Sequence, residues 1–451
     1  MSHTFHVMTF GCQMNVNDSE WLERALMQRG MQPAPLETAD VVVLNTCSVR
    51  DKPEQKVYSA LGRVRQATGG KKSVLVAVAG CVAQQIGEGF FERFPQVRLV
   101  LGTDGIAQAP EAIERLLAQP KLKLSLIDFS AHFPERDAAL PQGMCPPSAF
   151  VNIMQGCNNY CTYCIVPFTR GRQKSRQTQA ILEECRNLVA GGSREITLLG
   201  QNVNSFGQDE CGDGTSFESL LRAVAGIAGL QRLRFVSPHP KDISPSVIRA
   251  FGELENLCPR LHLPLQAGSD RVLKAMNRKY DSQRFLQICA DLRAARPDMA
   301  LSTDLIVGFP SETGEDFQET LRVMREANFV ASFSFAYSDR PGTRASLYPD
   351  KIAPEVKQDR LVRLQALQDE LGAAWLQSRV GTESVLLLEG NSRKNAADDA
   401  ALEQWQGRDT HGNTVNVELA AGQGSIGKLL PVRIQAAKKH SLVAVATGEL
   451  W

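Results

Sequence analysis

Val151-Asn152-Ile153-Met154-Gln155-Gly156-Cys157-Asn158-Asn159-Tyr160-Cys161-Thr162-Tyr163-Cys164 is the stretch on which the fold turns. Val151 to Gln155 is a short apolar run that predicts a buried strand, and Gly156 ends it. Three cysteines follow at a three-then-two spacing. Outward from there, five further runs have strand character: Glu195 to Leu199, Arg232 to Val236, Arg260 to Leu265, Leu301 to Val307 and Ala331 to Ala336. Helical patterns such as Ile181 to Val189, Ile243 to Glu253 and Phe317 to Ala327 separate them. Each strand runs into a polar or Gly/Pro-rich loop, among them Gly200-Gln201-Asn202, Ser237-Pro238-His239-Pro240, Gln266-Ala267-Gly268-Ser269 and Gly308-Phe309-Pro310. Six such units predict a partial (β/α)6 barrel over 143–376 whose working face is formed by these loops.

The flanks differ from this core. Over 3–119 the runs Phe5 to Phe10, Val41 to Leu44 and Val74 to Ala79 alternate with helical stretches, Asp18 to Arg29 and Pro53 to Gln66. Such alternation predicts an α/β domain with a parallel sheet. Each strand leads within a few residues to a cysteine: Cys12, Cys47 and Cys81. Parallel strands deliver their C-terminal ends to one sheet edge, so three thiols far apart in sequence can converge there. Pro134 to Pro147 reads as a linker. Beyond a connecting helix, Pro354 to Leu376, short apolar runs (Val385 to Leu388, Val415 to Leu419, Leu429 to Ile434, Ser441 to Val445) alternate with Gly/Asn turns. That pattern predicts a small antiparallel barrel over 378–447.

Composition narrows the class. With 50 basic against 49 acidic side chains, the 451-residue chain has no global basic field, and any nucleic-acid contact must rest on a local patch. No apolar run approaches membrane-spanning length and no leader pattern opens the chain, so a cytoplasmic protein is expected; a monomer is expected as well. Eleven cysteines in such a setting favour metal ligation over disulfides.

Zinc takes four ligands, and no second CxxC or HxxxH pair stands near Cys157. Three thiolates on three irons of a four-iron cluster leave the fourth iron open to chelate the methionine moiety of S-adenosylmethionine. An electron passed into the sulfonium then yields a 5′-deoxyadenosyl radical. The CxxxCxxC arrangement of Cys157, Cys161 and Cys164 after a barrel strand resembles the radical S-adenosylmethionine superfamily. That resemblance implies that Gln201, Asn202, His239, Gln266, Ser269, Ile306 and Gly308 lie where the cofactor is held.

The flanking motifs narrow the resemblance. Thr9-Phe10-Gly11-Cys12-Gln13-Met14-Asn15, Asn45-Thr46-Cys47-Ser48-Val49-Arg50 and Ala79-Gly80-Cys81-Val82-Ala83-Gln84 are similar to the three cysteine motifs of the methylthiotransferase family, over essentially the whole chain. Gln13-Met14 resembles the transfer-RNA branch; the branch acting on a ribosomal protein has Pro-Lys there. The resemblance implies a second [4Fe-4S] cluster on Cys12, Cys47 and Cys81, where the inserted sulphur is bound and methylated by one S-adenosylmethionine while another supplies the radical. It implies methylthiolation at C2 of N6-dimethylallyladenosine 37 in the tRNA anticodon loop. It also implies a C-terminal TRAM domain, an OB-like RNA-binding barrel. The motifs name neither the reductant nor the sulphur donor. Two positions depart from the pattern: Gln177 stands in place of a proline, and Asp409 in place of a threonine. The second bears on RNA contacts of the C-terminal barrel.

Charge in that barrel is balanced, with 8 basic and 8 acidic residues from Arg379 to Trp451. Two local basic patches are better candidates for phosphate contact: Arg50, Lys52, Lys56, Arg63, Arg65, Lys71 and Lys72, and, directly after the cysteine cluster, Arg170, Arg172, Lys174 and Arg176. Tyr163 and Phe168 could stack on a base. Cys145, Cys185, Cys211, Cys258 and Cys289 form no spaced group and read as core or surface thiols. The alternatives are methylthiolation of a ribosomal protein and a non-catalytic iron–sulphur RNA-binding protein.

Overall fold

The computed structural model describes residues 3–48, 53–70, 73–136, 145–392 and 402–451. The N-terminal domain is a six-stranded, wholly parallel sheet in the order Gln32–Pro33, Thr4–Thr9, Val41–Thr46, Leu75–Gly80, Val97–Leu101, Leu124–Leu126. Its central strands read as unbroken apolar runs because both faces are covered. Val41 and Val43 pack on one side with Leu22, Leu26 and Ile113, and Val42 and Leu44 on the other with Val57, Leu61 and Val64. The sheet extends past residue 119. Its strand Val97–Leu101 was not foreseen because Arg98 interrupts the run; the guanidinium is satisfied by the carbonyls of Leu116 at 2.6 Å and Gln119 at 2.9 Å.

The central domain is the expected partial barrel. Its strands Ser148–Asn152, Glu195–Leu199 and Arg232–Phe235 form one parallel sheet, and Arg260–His262, Ala300–Val307 and Ala331–Ala336 form a second. A bridge between Leu233 and Leu257 joins the two halves. Of the linker, residues 137–144 lie outside the described residues. The preceding segment lies between the two domains, where Arg136 meets Asp18 of the N-terminal domain at 2.6 Å and Glu135 meets Arg176 of the central domain at 3.3 Å.

The C-terminal domain is a closed barrel of five strands, Glu383–Asn391, Leu402–Arg408, Thr414–Ala420, Leu442–Ala446 and Leu429–Ala437 in ring order. Thr414–Ala420 and Leu442–Ala446 run parallel, which corrects the expectation of a purely antiparallel barrel. The reason is arithmetic, since an odd number of strands cannot alternate in direction all the way round. Leu402–Arg408 escaped the sequence reading because only Trp405 and Gly407 of its seven residues face inward.

This barrel docks at the N-terminal ends of the central strands, away from the cysteine loops. Arg232 donates to the carbonyls of Arg408 at 2.8 Å and Val385 at 2.6 Å, Arg234 to that of Asp409 at 3.1 Å, and Arg260 to that of His411 at 2.7 Å. Buried Glu195 lies 2.9 Å from Arg234. Burial works against its charge, but Arg234 and Arg232 outweigh that and hold its pKa below the usual value. Asp409 is fully buried and accepts from the backbone N–H and side-chain amide of Asn413 at 2.7 and 2.9 Å. The departure at this position therefore bears on domain docking. Gln177 precedes the helix Thr178–Ala190 with φ −68°, the angle proline would hold, so that departure leaves the backbone path intact. Asp409→Ala is expected to destabilise the docked barrel by about 1–3 kcal/mol. Urea unfolding followed by fluorescence of Trp375, whose Nε1 donates to Asn413 at 3.2 Å, would register an earlier transition; an unchanged one would show that the turn holds nothing.

Candidate functional site

The N-terminal cysteines stand at the C-terminal ends of three neighbouring strands, Thr9, Thr46 and Gly80 being the last strand residues before or near them. Neighbouring strands lie about 4.8 Å apart, so the three thiols arrive side by side. The turns are built for close approach. Gly11 has φ +148°, and a Cβ on it would sit 2.5 Å from Cβ of Cys47; Gly80 has φ +89°, and a Cβ there would meet the Thr46 carbonyl at 2.4 Å. Asn15 and Asn45 tie the segments together from beneath. The Asn15 amide donates to Asn45 Oδ1 at 2.9 Å and to the Thr46 carbonyl at 3.0 Å, and Asn45 donates back to the Asn15 carbonyl at 2.9 Å. A hydrogen bond with Cys47, helped by nearby Arg170, overrides burial and pushes the Cys12 thiol down to about 5. A thiolate donor set is what iron requires.

The second trio sits on the loop after Ser148–Asn152. Gly156 has φ +79°, and a Cβ there would collide with the Arg172 carbonyl at 2.0 Å. Its N–H donates to Gln201 Oε1 at 2.6 Å. The loop is clamped from outside: Thr162 N–H donates to the Met276 carbonyl at 3.1 Å, and Asn277 to the Tyr160 carbonyl at 3.0 Å. Buried Arg278 donates to Cys161 Sγ and to Tyr163 Oη, both at 3.4 Å, and to the Pro264 carbonyl at 2.8 Å. Burial, with Cys161 as neighbour, pushes the Cys164 thiol up to about 12.

Among the described residues, no three His, Cys, Asp or Glu side chains close on a single ion. One tetrahedral ion with thiolates at ~2.3 Å needs sulphurs about 3.8 Å apart. A four-iron cluster sets one thiolate on each of three irons and does not require that approach.

One cleft takes part of its wall from each cysteine loop. Ser48, which follows Cys47, and Cys164 line the same cavity of about 190 Å³, together with Tyr163, Gln266, Asp304, Ile306, Phe335 and Tyr337. The helix Val166–Thr169 bridges the sites from behind, packed on the helix Cys81–Ile86.

Residues 4–102 match the model of the uncharacterized protein family UPF0004, and residues 151–324 that of the radical SAM superfamily. The chain is 64% identical over 448 residues to the tRNA-2-methylthio-N(6)-dimethylallyladenosine synthase of Nitratidesulfovibrio vulgaris strain DP4, covering 99% of each chain. Against the synthase of the same description from Lawsonia intracellularis it is 55% identical, covering 98% of this chain and 99% of the other. The chain belongs to the tRNA-2-methylthio-N(6)-dimethylallyladenosine synthase family. Among solved structures it shares its fold with the radical S-adenosylmethionine methyltransferase TsrM from Kitasatospora setae, at a TM-score of 0.55 and 12% identity, covering 77% of this chain and 74% of that one.

Against that family background the remaining candidates divide. Gln266 and Ile306 line the cleft, and Gln201 holds the cysteine loop. Asn202 binds Asp242 at 2.7 Å and accepts from the His239 N–H, a tie between loops. Ser269 caps the helix Asp270–Ala275 and donates to Asp316. Gly308 lies under Lys357, whose Cγ a Cβ would meet at 2.4 Å. His239 is buried against Tyr280, and burial, with Arg278 and Lys241 nearby, pushes its pKa down to about 2, so the ring is neutral.

The basic patch after the cluster needs correction. Arg170, Lys174 and Arg176 are 3%, 4% and 8% exposed. Their partners are Asp18, Asp104 and Glu184, and of the four proposed cations Arg172 alone faces solvent. The strand Lys174–Ser175 pairs back onto Met154–Gln155 and tucks the segment against acids of the N-terminal domain. In the other patch Lys56, Arg63 and Arg65 are exposed on the helix Pro53–Ala67, while Arg50, Lys52, Lys71 and Lys72 lie outside the described residues. Tyr163 is inside the cleft wall, and Phe168 is exposed. Cys185, Cys258 and Cys289 are buried core thiols; Cys145 and Cys211 are half-buried. The sequence reading missed Arg278 and gave Asn15 and Asn45 no role. For Asn15 and Asn45 the one signal was position inside the cysteine motifs; Arg278, distant from them in sequence, carried none.

Proposed function

We propose that this protein is a tRNA methylthiotransferase that installs a methylthio group at C2 of N6-dimethylallyladenosine 37. It uses S-adenosylmethionine and two [4Fe-4S] clusters, one on Cys157, Cys161 and Cys164 and one on Cys12, Cys47 and Cys81. When bound, the first cluster with S-adenosylmethionine supplies a radical able to attack an inert C–H bond, and the second supplies the sulphur. The chain's own residues build the place where the two meet. One observation carries the reading: the Cys47 loop and the Cys164 loop contribute to the walls of a single cleft. Gln266 and Ile306 at strand ends would orient the cofactor there, and Tyr163 and Phe335 would exclude water around the base. Lys56, Arg63, Arg65 and Arg172 supply exposed positive charge for the anticodon stem, a contact that weakens as salt rises.

The test is mass spectrometry of tRNA nucleosides and of ribosomal proteins from a deletion strain. Loss of 2-methylthio-N6-dimethylallyladenosine, with its unmethylthiolated precursor accumulating, is expected. An unchanged nucleoside profile with a ribosomal protein lighter by one methylthio group would replace this reading by the protein-modifying one.

A further inference from the structure

We propose that Arg170 is a positioning residue for the anionic sulphur of the Cys12–Cys47–Cys81 site, reaching into it from the neighbouring domain. The inference rests on the cluster assignment above and names the group that balances its charge. Arg170 is 3% exposed, and a guanidinium keeps its charge when buried, so a compensating anion must be near. Asp18 provides only part of one. Its Oδ1 is taken by Arg136 at 2.6 Å, and its Oδ2 lies 3.5 Å from Arg170 without forming a hydrogen bond. Two buried cations thus share one carboxylate. Both terminal nitrogens of Arg170 are buried and, among the described residues, no oxygen or nitrogen acceptor bonds them; the side chain within their reach is Cys81.

What stands beside those nitrogens belongs to the trio: Cys81 and Cys12 are, together with Asp18, the side chains that act on the guanidinium. Arg170 reaches them because the helix Val166–Thr169 packs on the helix that opens at Cys81, and because the Thr169 carbonyl accepts from Thr103 at 2.9 Å. A thiolate-held cluster carrying an added hydrosulphide is anionic, and a planar fork of N–H donors is the side chain suited to hold such a sulphur. The same contact makes assembly of the sulphur site depend on docking of the domain that carries the radical site. Charge and N–H donation near a cluster raise its reduction potential.

The test uses the full chain with Cys157, Cys161 and Cys164 replaced by alanine, so that any iron belongs to the N-terminal site. Iron and sulphide content, thermal melting and the midpoint potential are measured with Arg170, with Arg170→Lys and with the paired change Asp18→Asn plus Arg170→Gln, which removes the Arg170–Asp18 pair and leaves Arg136 facing an amide. The expected order of potential and iron retention is wild type, then the lysine variant, then the paired variant, with iron affinity falling about 10- to 100-fold at the end of the series. Equal potentials and equal iron in variants that melt as the parent does would overturn the role of Arg170 and leave the cluster assignment standing. No iron in the parent would instead remove the cluster assignment itself. If the paired variant does not fold, the lysine variant decides, since it keeps the cation and its carboxylate.

Discussion

Cys161→Ala is expected to abolish both release of 5′-deoxyadenosine from S-adenosylmethionine and formation of methylthiolated tRNA. Cys161 is the middle ligand of the proposed radical site and receives the N–H of Arg278 at 3.4 Å. With two thiolates left, the cluster loses a corner, and Arg278 is left buried against an empty position. The reaction then falls back toward its uncatalysed rate, a loss of at least roughly 10⁶-fold, below detection. Anaerobic incubation with a chemical reductant and chromatography of the nucleosides measures it. Residual deoxyadenosine at even a few per cent of the wild-type rate would mean that radical formation does not depend on this thiol.

Cys47→Ala is expected to divide the two activities. Release of 5′-deoxyadenosine continues at a rate comparable to wild type, because Cys47 belongs to a separate strand-end trio and is not one of the proposed ligands Cys157, Cys161 and Cys164. Methylthio product disappears, a loss of similarly large size, because the sulphur site has lost a ligand. Loss of both products together would contradict separate roles for the two trios. The substitution itself is mild for the fold: Cys47 is buried beside Gly11, and alanine fits within the space the cysteine leaves.

How far such expectations could be read from the sequence follows from which partners were local. The parallel sheet edge was legible because Cys12, Cys47 and Cys81 each follow an apolar run, and strand direction does the rest. The barrel was legible through six repeats of strand, loop and helix. What failed involved partners distant in sequence. Arg170 and Lys174 looked like part of a phosphate patch because nothing local offered them an anion; Asp18 and Asp104 come from another domain, whereas Arg176 pairs with Glu184 on the helix that follows it. Asn202 and Ser269 sit in the expected loops, but their side chains are used to join one loop to another and to cap a helix. Asp409 looked like a position for RNA and is a buried turn against the base of the barrel. Side-chain charge alone does not say whether a loop cation meets solvent or a carboxylate from the next domain.

The whole reading needs two iron clusters in one chain, each held by three thiols and both opening on the same cleft. Counting iron and acid-labile sulphide in anaerobically reconstituted protein tests this directly. About eight of each per chain are expected for the wild type, and about four when either trio is replaced by alanine. A wild-type value near four that does not change when Cys12, Cys47 and Cys81 are replaced would contradict it.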